Sequence, residues 1–92
     1  MPLGNPEETE VISVDENGTT ITVTQGLSSL EIQNTGSADV AFGKPSTVTF
    51  ARGILIYANG DRKSWENLPT GWTVRFITAA GKTTTLRRVN YV

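Results

Sequence analysis

Short segments in which apolar and polar residues alternate, separated by turn sequences, constrain the fold of this chain more than any other feature. Asn17-Gly18 and Asn59-Gly60 are two-residue hairpin signals, because a type I′ turn needs positive φ at both central positions. The predicted strands cover residues 10–15, 19–25, 29–34, 38–43, 47–51, 53–58, 61–66, 72–78 and 83–90, which leaves no stretch long enough for a helix. The sequence therefore predicts an all-β fold.

Each turn also predicts a strand register that gathers apolar side chains on one face. Further hairpin loops are expected at Thr35-Gly36-Ser37 and at Ala79-Ala80-Gly81. The predicted cross-strand pairs are Val14 with Ile21, Ile12 with Val23, Ile32 with Val40, Leu30 with Phe42, Ile56 with Lys63, Ile54 with Trp65, Val74 with Leu86, and Phe76 with Thr84.

Composition agrees with this interpretation. Thr, Val and Ile make up about 30% of the chain, and their branched side chains suit a pleated surface. A chain of 92 residues has the size of one small domain. We expect a small antiparallel β-sandwich or a jelly-roll-like barrel over residues 10–92. Residues 1–9 contain two Pro and no alternation, so they are expected to form an extended N-terminal arm.

The chain contains no Cys and no His, which removes thiolate nucleophiles, imidazole bases and the usual zinc ligand sets. The acids that lie close together in the sequence have no apolar surroundings that would raise their pKa values. We therefore expect a non-enzymatic protein without a metal or another cofactor. No apolar run approaches the length of a membrane span and the N-terminus does not resemble a secretion signal, so synthesis in the cytoplasm without membrane association is expected.

Charge is divided unevenly along the sequence. Residues 1–43 carry seven acids and no base, whereas residues 44–92 carry eight bases and two acids. One interpretation is that both halves interleave in one fold and neutralise each other locally. The other is that the acidic N-terminal segment lies against a basic face of a neighbouring copy, in a self-assembling protein. A net charge of −1 argues against nucleic acid as the partner.

Trp65 and Trp72 flank a loop. Exposed indoles in such a place can stack on sugar rings or anchor a protein interface. The predicted register instead places Trp65 beside Ile54, and alternation groups Trp72 with Val74 and Phe76. Packing against the core is therefore the favoured interpretation for both rings.

Three stretches carry a resemblance to a known group of proteins. They are the run from Ser29 to Gly43 (SLEIQNTGSADVAFG), the run from Gly53 to Gly60 (GILIYANG), and Leu68-Pro69-Thr70-Gly71. Across residues 27–78 the chain resembles small virion proteins of tailed bacteriophages, most of all the β-sandwich decoration, or cement, proteins of phage heads. The resemblance implies a trimer that sits where major capsid subunits meet and locks the expanded shell. It brings no catalytic or ligand-binding residues with it.

The expected function is thus that of a structural virion protein on the phage head surface, with the major capsid protein and further copies of itself as partners. The alternatives are a carbohydrate- or receptor-binding module of a fibre that uses Trp65, Trp72 and Tyr57, and a head-to-tail neck component. The acidic arm is expected to reach a neighbouring subunit, with arginines and a lysine as the complementary charges. The candidate interface residues are Glu7, Glu8, Glu10, Tyr57, Arg62, Lys63, Trp65, Trp72, Arg87 and Arg88.

Overall fold

Eight β-strands make up the fold, and the computed structural model describes residues 9–92, which contain no helix. The strands are β1 Glu10–Val14, β2 Thr19–Thr22, β3 Leu27–Asn34, β4 Val40–Gly43, β5 Ile54–Ile56, β6 Arg62–Leu68, β7 Thr73–Thr78 and β8 Thr84–Tyr91. The all-β prediction is confirmed. The predicted arm, with Glu7 and Glu8, lies outside the described residues except for Thr9.

The strands form two four-stranded antiparallel sheets. Their orders are β1-β8-β3-β6 in the first sheet and β2-β7-β4-β5 in the second. The pairing is nested: β1 pairs with β8, β2 with β7, β3 with β6 and β4 with β5. Two further contacts, β3 with β8 and β4 with β7, complete the sheets. This wrapping is the jelly roll, a double-sheet sandwich, so the predicted sandwich is confirmed.

The predicted hairpin at Asn17-Gly18 is wrong, because β1 and β2 belong to different sheets. Ile12 lies opposite Leu86, and Ile21 lies opposite Val74. Gly18 has a φ of 81° and donates to the carbonyl of Asp15, which closes a turn that carries the chain from one sheet to the other. The alternation is still satisfied, because apolar side chains of the two sheets face each other across the interior.

The other predicted hairpins are wrong for the same reason, since β3 and β4, β5 and β6, and β7 and β8 also lie in different sheets. At Asn59-Gly60 both residues have the positive φ that the sequence predicts, 64° and 115°, but the turn joins two sheets. The observed partners are Trp65 and Asn90 for Leu30, Lys63 and Arg88 for Ile32, Phe42 for Ile54, Val40 for Ile56, Ile21 for Val74, and Thr19 and Phe42 for Phe76.

The predicted strand over residues 47–51 is also wrong. Residues 44–53 form two consecutive turns, in which the backbone N–H groups of Val48 and Gly53 donate to the carbonyls of Lys44 and Thr49. This segment joins β4 to β5 and folds back onto the second sheet. An added Cβ at Gly53 would stand 2.6 Å from Cβ of Ala41, so only glycine permits this close approach.

The core lies between the sheets and follows the predicted alternation. Trp65, Trp72 and Ile12 pack against it while partly buried. The buried apolar residues are Val14, Ile21, Val23, Leu27, Leu30, Ile32, Val40, Phe42, Ile56, Leu68, Val74, Phe76 and Leu86.

The sandwich has two different ends. The turn end holds residues 15–18, 35–39, 57–61 and 79–83, which are tied together by backbone bonds such as Thr78 N–H to the carbonyl of Asp15 and Gly60 N–H to the carbonyl of Asn34. The termini end holds residues 23–26, 44–53 and 69–72, the start of β1 and the end of β8. Both β1 and β5 therefore run from the termini end to the turn end.

Candidate interaction surfaces

A buried asparagine fixes the geometry of the turn end. The Asn34 amide nitrogen donates to the carbonyls of Ala38 at 2.9 Å and Ile56 at 3.0 Å. Its Oδ1 accepts from the Thr84 hydroxyl at 2.7 Å and from the Gly36 N–H at 3.2 Å. Both sheets are thereby joined through one side chain. The predicted strand 29–34 ends at Asn34, on the same face as Leu30 and Ile32, and this alternation was the sequence signal for a buried side chain.

Two carboxylates hold residues 57–61 in place. Asp61 accepts from the N–H groups of Tyr57 at 3.0 Å and Arg62 at 2.9 Å, and Asp39 accepts from the N–H of Ala58 at 2.8 Å. The hydrogen bond from the Tyr57 N–H is the main cause of a lowered pKa of the Asp61 carboxyl. Desolvation opposes this effect, while the hydrogen bond from the Arg62 N–H and the positive charge of Lys63 lower the pKa further. The carboxylates therefore order the loop that presents the Tyr57 ring.

The two tryptophans belong to an aromatic cluster. The ring centroids of Trp65 and Trp72 are 5.6 Å apart, and Trp65 meets Phe42 edge to face at 5.1 Å and Phe76 at 6.4 Å. Both indoles are half-buried against the core, as the favoured interpretation expects. Much of their ring surface is thus occupied by protein contacts. Their role as interface residues stays a prediction.

Opposite charges from the two halves of the sequence meet within the fold. Arg62 lies 3.7 Å from Glu31, and Arg88 lies 3.9 Å from Glu10. This agrees with the interpretation that the halves interleave and neutralise each other locally. Two of the four predicted interface cations thus already face acids of their own chain.

Several other cations have no carboxylate within 4 Å among residues 9–92. Of the predicted interface residues, Lys63 is half-buried on β6 and Arg87 is exposed on β8, opposite Val11. Lys44 and Arg52 are exposed in the segment between β4 and β5. The positive charge available to partners therefore lies in several places on the surface.

Exposed apolar side chains mark two edges of the sandwich. Ile54 begins β5 and is 60% exposed, and Tyr57, just after β5, is 58% exposed. Val11 on β1 is 72% exposed. Both β1 and β5 are edge strands of their sheets. Unpaired strand edges with apolar side chains invite contact with another chain.

A shallow groove lies beside β5 at the termini end. Its apolar side comes from Phe42, Val48 and Ile54, and its basic side from Lys44 and Arg52. Residues 44–53 pack closely on the second sheet here, because a Cβ added at Gly43 would stand only 3.0 Å from a methyl group of Val48. The groove thus combines an apolar surface with two cations.

Within the part of the chain that the structure describes, no three acidic side chains come together as metal ligands would, and no helix has the length and apolar character to cross a membrane. No protein-family profile matches the sequence, and no curated protein sequence matches it.

Proposed function

We propose that this chain is a structural virion protein of a tailed phage, which decorates the head surface by binding the major capsid protein and associates as a homotrimer. The proposal begins from the resemblance over residues 27–78 to phage decoration proteins. The jelly roll is compatible with it, since this architecture recurs in viral capsid proteins, although lectins and cupins share it.

The observation that carries the proposal is the apolar edge formed by β5 and Tyr57. Natural sheet edges are commonly protected by charged residues, as β6 is by Arg62, Lys63 and Glu66. No charge lies between residues 53 and 60. The exposed Ile54 and Tyr57 side chains on such an edge suit a lasting contact with other protein subunits.

A carbohydrate- or receptor-binding module of a fibre is the first alternative. It requires an indole face that is free to stack on a sugar, whereas Trp65 and Trp72 pack against each other in a tilted arrangement, with their ring centroids 5.6 Å apart. The aromatic cluster therefore favours the decoration protein. Loss of glycan binding in Trp72→Ala, with the fold intact, would favour the fibre module.

Copy number in purified particles is the decisive measurement. A decoration protein occupies repeated sites on the shell, so hundreds of copies per particle are expected. A neck component would be present at about twelve copies, in keeping with the low symmetry of that region. Quantitative mass spectrometry against the major capsid protein separates these results.

Heads with and without the protein should also differ in heat resistance. A ligand that binds only the assembled shell stabilises it by mass action. Genome release should therefore occur at a higher temperature when the protein is present. Equal release temperatures would contradict the proposal.

A further inference from the structure

The outer edge of β5 carries no charge that would protect it from a further strand. β5 is the last strand of the second sheet, where it pairs with β4 through three residue pairs and, among the described strands, with no other. Ile54 begins this strand, Tyr57 follows it, and both side chains are exposed. Charged residues are a usual protection of a sheet edge, and none lies between residues 53 and 60. The backbone on this side of β5 is therefore available to an added strand.

The segments on both sides of β5 are held by hydrogen bonds of their own. Before the strand, the backbone N–H of Gly53 donates to the carbonyl of Thr49 at 2.9 Å. After it, the N–H groups of residues 57 and 58 donate to the carboxylates of Asp61 and Asp39. The backbone available for pairing is thus limited to the strand itself, and its flanks need little further ordering when a partner binds.

Two cations stand at the start of this edge. Lys44 and Arg52 are exposed and line the same groove as Phe42, Val48 and Ile54. Within residues 9–92, no carboxylate lies within 4 Å of either cation. The groove therefore places two positive charges beside an apolar surface.

The other charges on this side of the sandwich leave a positive excess. Residues 44–68 carry four bases and two acids. One of the bases, Arg62, already lies 3.7 Å from Glu31. Of the acids, Asp61 accepts two backbone N–H groups at the turn end, and Glu66 points outward from the first sheet. An acidic partner therefore complements the two cations of the groove.

We propose that β5 is the docking edge for an extended acidic segment of a partner protein, which adds to the second sheet as a fifth strand. Apolar side chains of the segment pack on Ile54 and Tyr57, and its carboxylates face Lys44 and Arg52. In this mode of recognition the main-chain pairing supplies affinity and the neighbouring side chains supply specificity. For the source of the segment the inference rests on the proposed function, in which the major capsid protein supplies it.

Two short synthetic peptides test the charge and the surface. One alternates Val with Glu, and the other alternates Val with Lys. In NMR titrations of the isotope-labelled full chain, the Val-Glu peptide is expected to shift the amide signals of residues 44 and 52–57, whereas the Val-Lys peptide leaves them in place. No shift with the Val-Glu peptide at millimolar concentration, or equal shifts with both peptides, would overturn the proposal.

Two charge reversals locate the contact. Arg52→Glu is expected to weaken binding of the Val-Glu peptide by on the order of tenfold, because attraction to the peptide becomes repulsion. Lys82→Glu makes the same charge change in an exposed side chain at the turn end and should leave binding unchanged. Thermal melting checks that both variants fold. Equal effects of the two variants would overturn the assignment to this edge.

Hydrogen exchange distinguishes an added strand from contact through side chains alone. An added strand accepts hydrogen bonds from the outward-facing N–H groups of β5, so exchange within residues 54–56 should slow when the Val-Glu peptide binds. Amides of β1, at the far edge of the first sheet, should exchange as before. Peptide binding without protection at β5 would overturn the strand addition.

The outcome is separable from that of the proposed function. A chain that binds the Val-Glu peptide at β5 but is absent from heads would leave the docking edge standing and overturn the head role. A chain that coats heads equally well with and without Arg52→Glu, and binds no acidic peptide, would do the reverse. Self-association of the full chain that Arg52→Glu abolishes would assign the edge to a second copy and overturn the proposal.

Discussion

The hydroxyl group of Thr84 donates a 2.7 Å hydrogen bond to Oδ1 of Asn34, and both side chains are buried. This bond links the end of β3 to the start of β8. The same asparagine amide reaches the carbonyl of Ile56 at the end of β5, in the other sheet. The turn end is therefore held by a polar network inside the fold.

Asn34→Ala should lower the free energy of unfolding by about 3 kcal/mol, because it leaves buried carbonyls and a hydroxyl without partners. Thr84→Val should cost less, about 1–2 kcal/mol, since it removes one bond of several. Urea unfolding of both single variants and the double variant measures their coupling. Additive effects would contradict a shared network.

Stability should fall in acid through Asp61. Its pKa is lowered in the folded protein, so its contribution is complete above the unfolded value of about 3.8 and disappears as pH falls through the lower folded value. Asp61→Asn should therefore destabilise the protein at pH 7, and this difference should shrink as acid protonates Asp61. Glu66→Gln, a change on the exposed face of β6, is the control. A destabilisation by Asp61→Asn that is as large in acid as at pH 7 would rule out Asp61 as the source of the acid sensitivity.

Gly36→Ala should destabilise the fold by about 2–3 kcal/mol through steric overlap. The new Cβ would stand 2.0 Å from Oγ1 of Thr84 and 2.6 Å from the backbone nitrogen of Thr85. Gly26→Ala is the matched control, because its nearest neighbour would be the Leu68 carbonyl at 3.8 Å. Thermal melting compares the two, and equal melting temperatures would show that the predicted overlap is relieved at little cost.

Trp72→Ala should cost about 2–3 kcal/mol, below the range for a fully buried aromatic residue because the ring is half-buried. The loss comes from packing against Trp65 and the core. Tyr57→Ala removes an exposed ring and should stay within about 0.5 kcal/mol of the wild type. Chemical denaturation measures both, and the reverse order would argue that the indole is a surface residue.

Deletion of residues 1–9 should leave the fold intact and weaken attachment to the particle. These residues supply no alternating apolar pattern, and their acids suit a basic partner. Circular dichroism follows the fold, and occupancy on heads follows attachment. Full occupancy after the deletion would remove the arm from the proposed interface.

Alternation along the strands sufficed to predict the fold class and most inward-facing residues, including Leu30, Ile32 and Phe76. Alternation could not identify which strands pair. An inward-facing side chain satisfies the pattern both when its strand pairs with the next strand in a hairpin and when the next strand lies in the opposite sheet. Asn-Gly provides positive φ in either case, as Asn59-Gly60 demonstrates. Nested pairing depends on contacts between distant residues, which local turn chemistry does not specify.

The candidate surfaces were predictable to a smaller degree. The sequence identified Tyr57 as a candidate interface residue and favoured core packing for both tryptophans. It did not predict the ion pairs of Arg62 with Glu31 and of Arg88 with Glu10. Those ion pairs form because the nested topology places β3 beside β6 and β1 beside β8, strands that are far apart in the sequence. Lys44 and Arg52 were not selected, since the turns that bring them beside Ile54 were interpreted as a strand.

Nested strand pairing also governs when the fold can form. The innermost pair, β4 with β5, closes over residues 44–53, whereas β1 meets β8 only across residues 15–83. Loop closure over such separations makes folding slow, on the order of milliseconds to seconds for sandwiches of this kind. During synthesis, β1 therefore remains unpaired until β8 has left the ribosome.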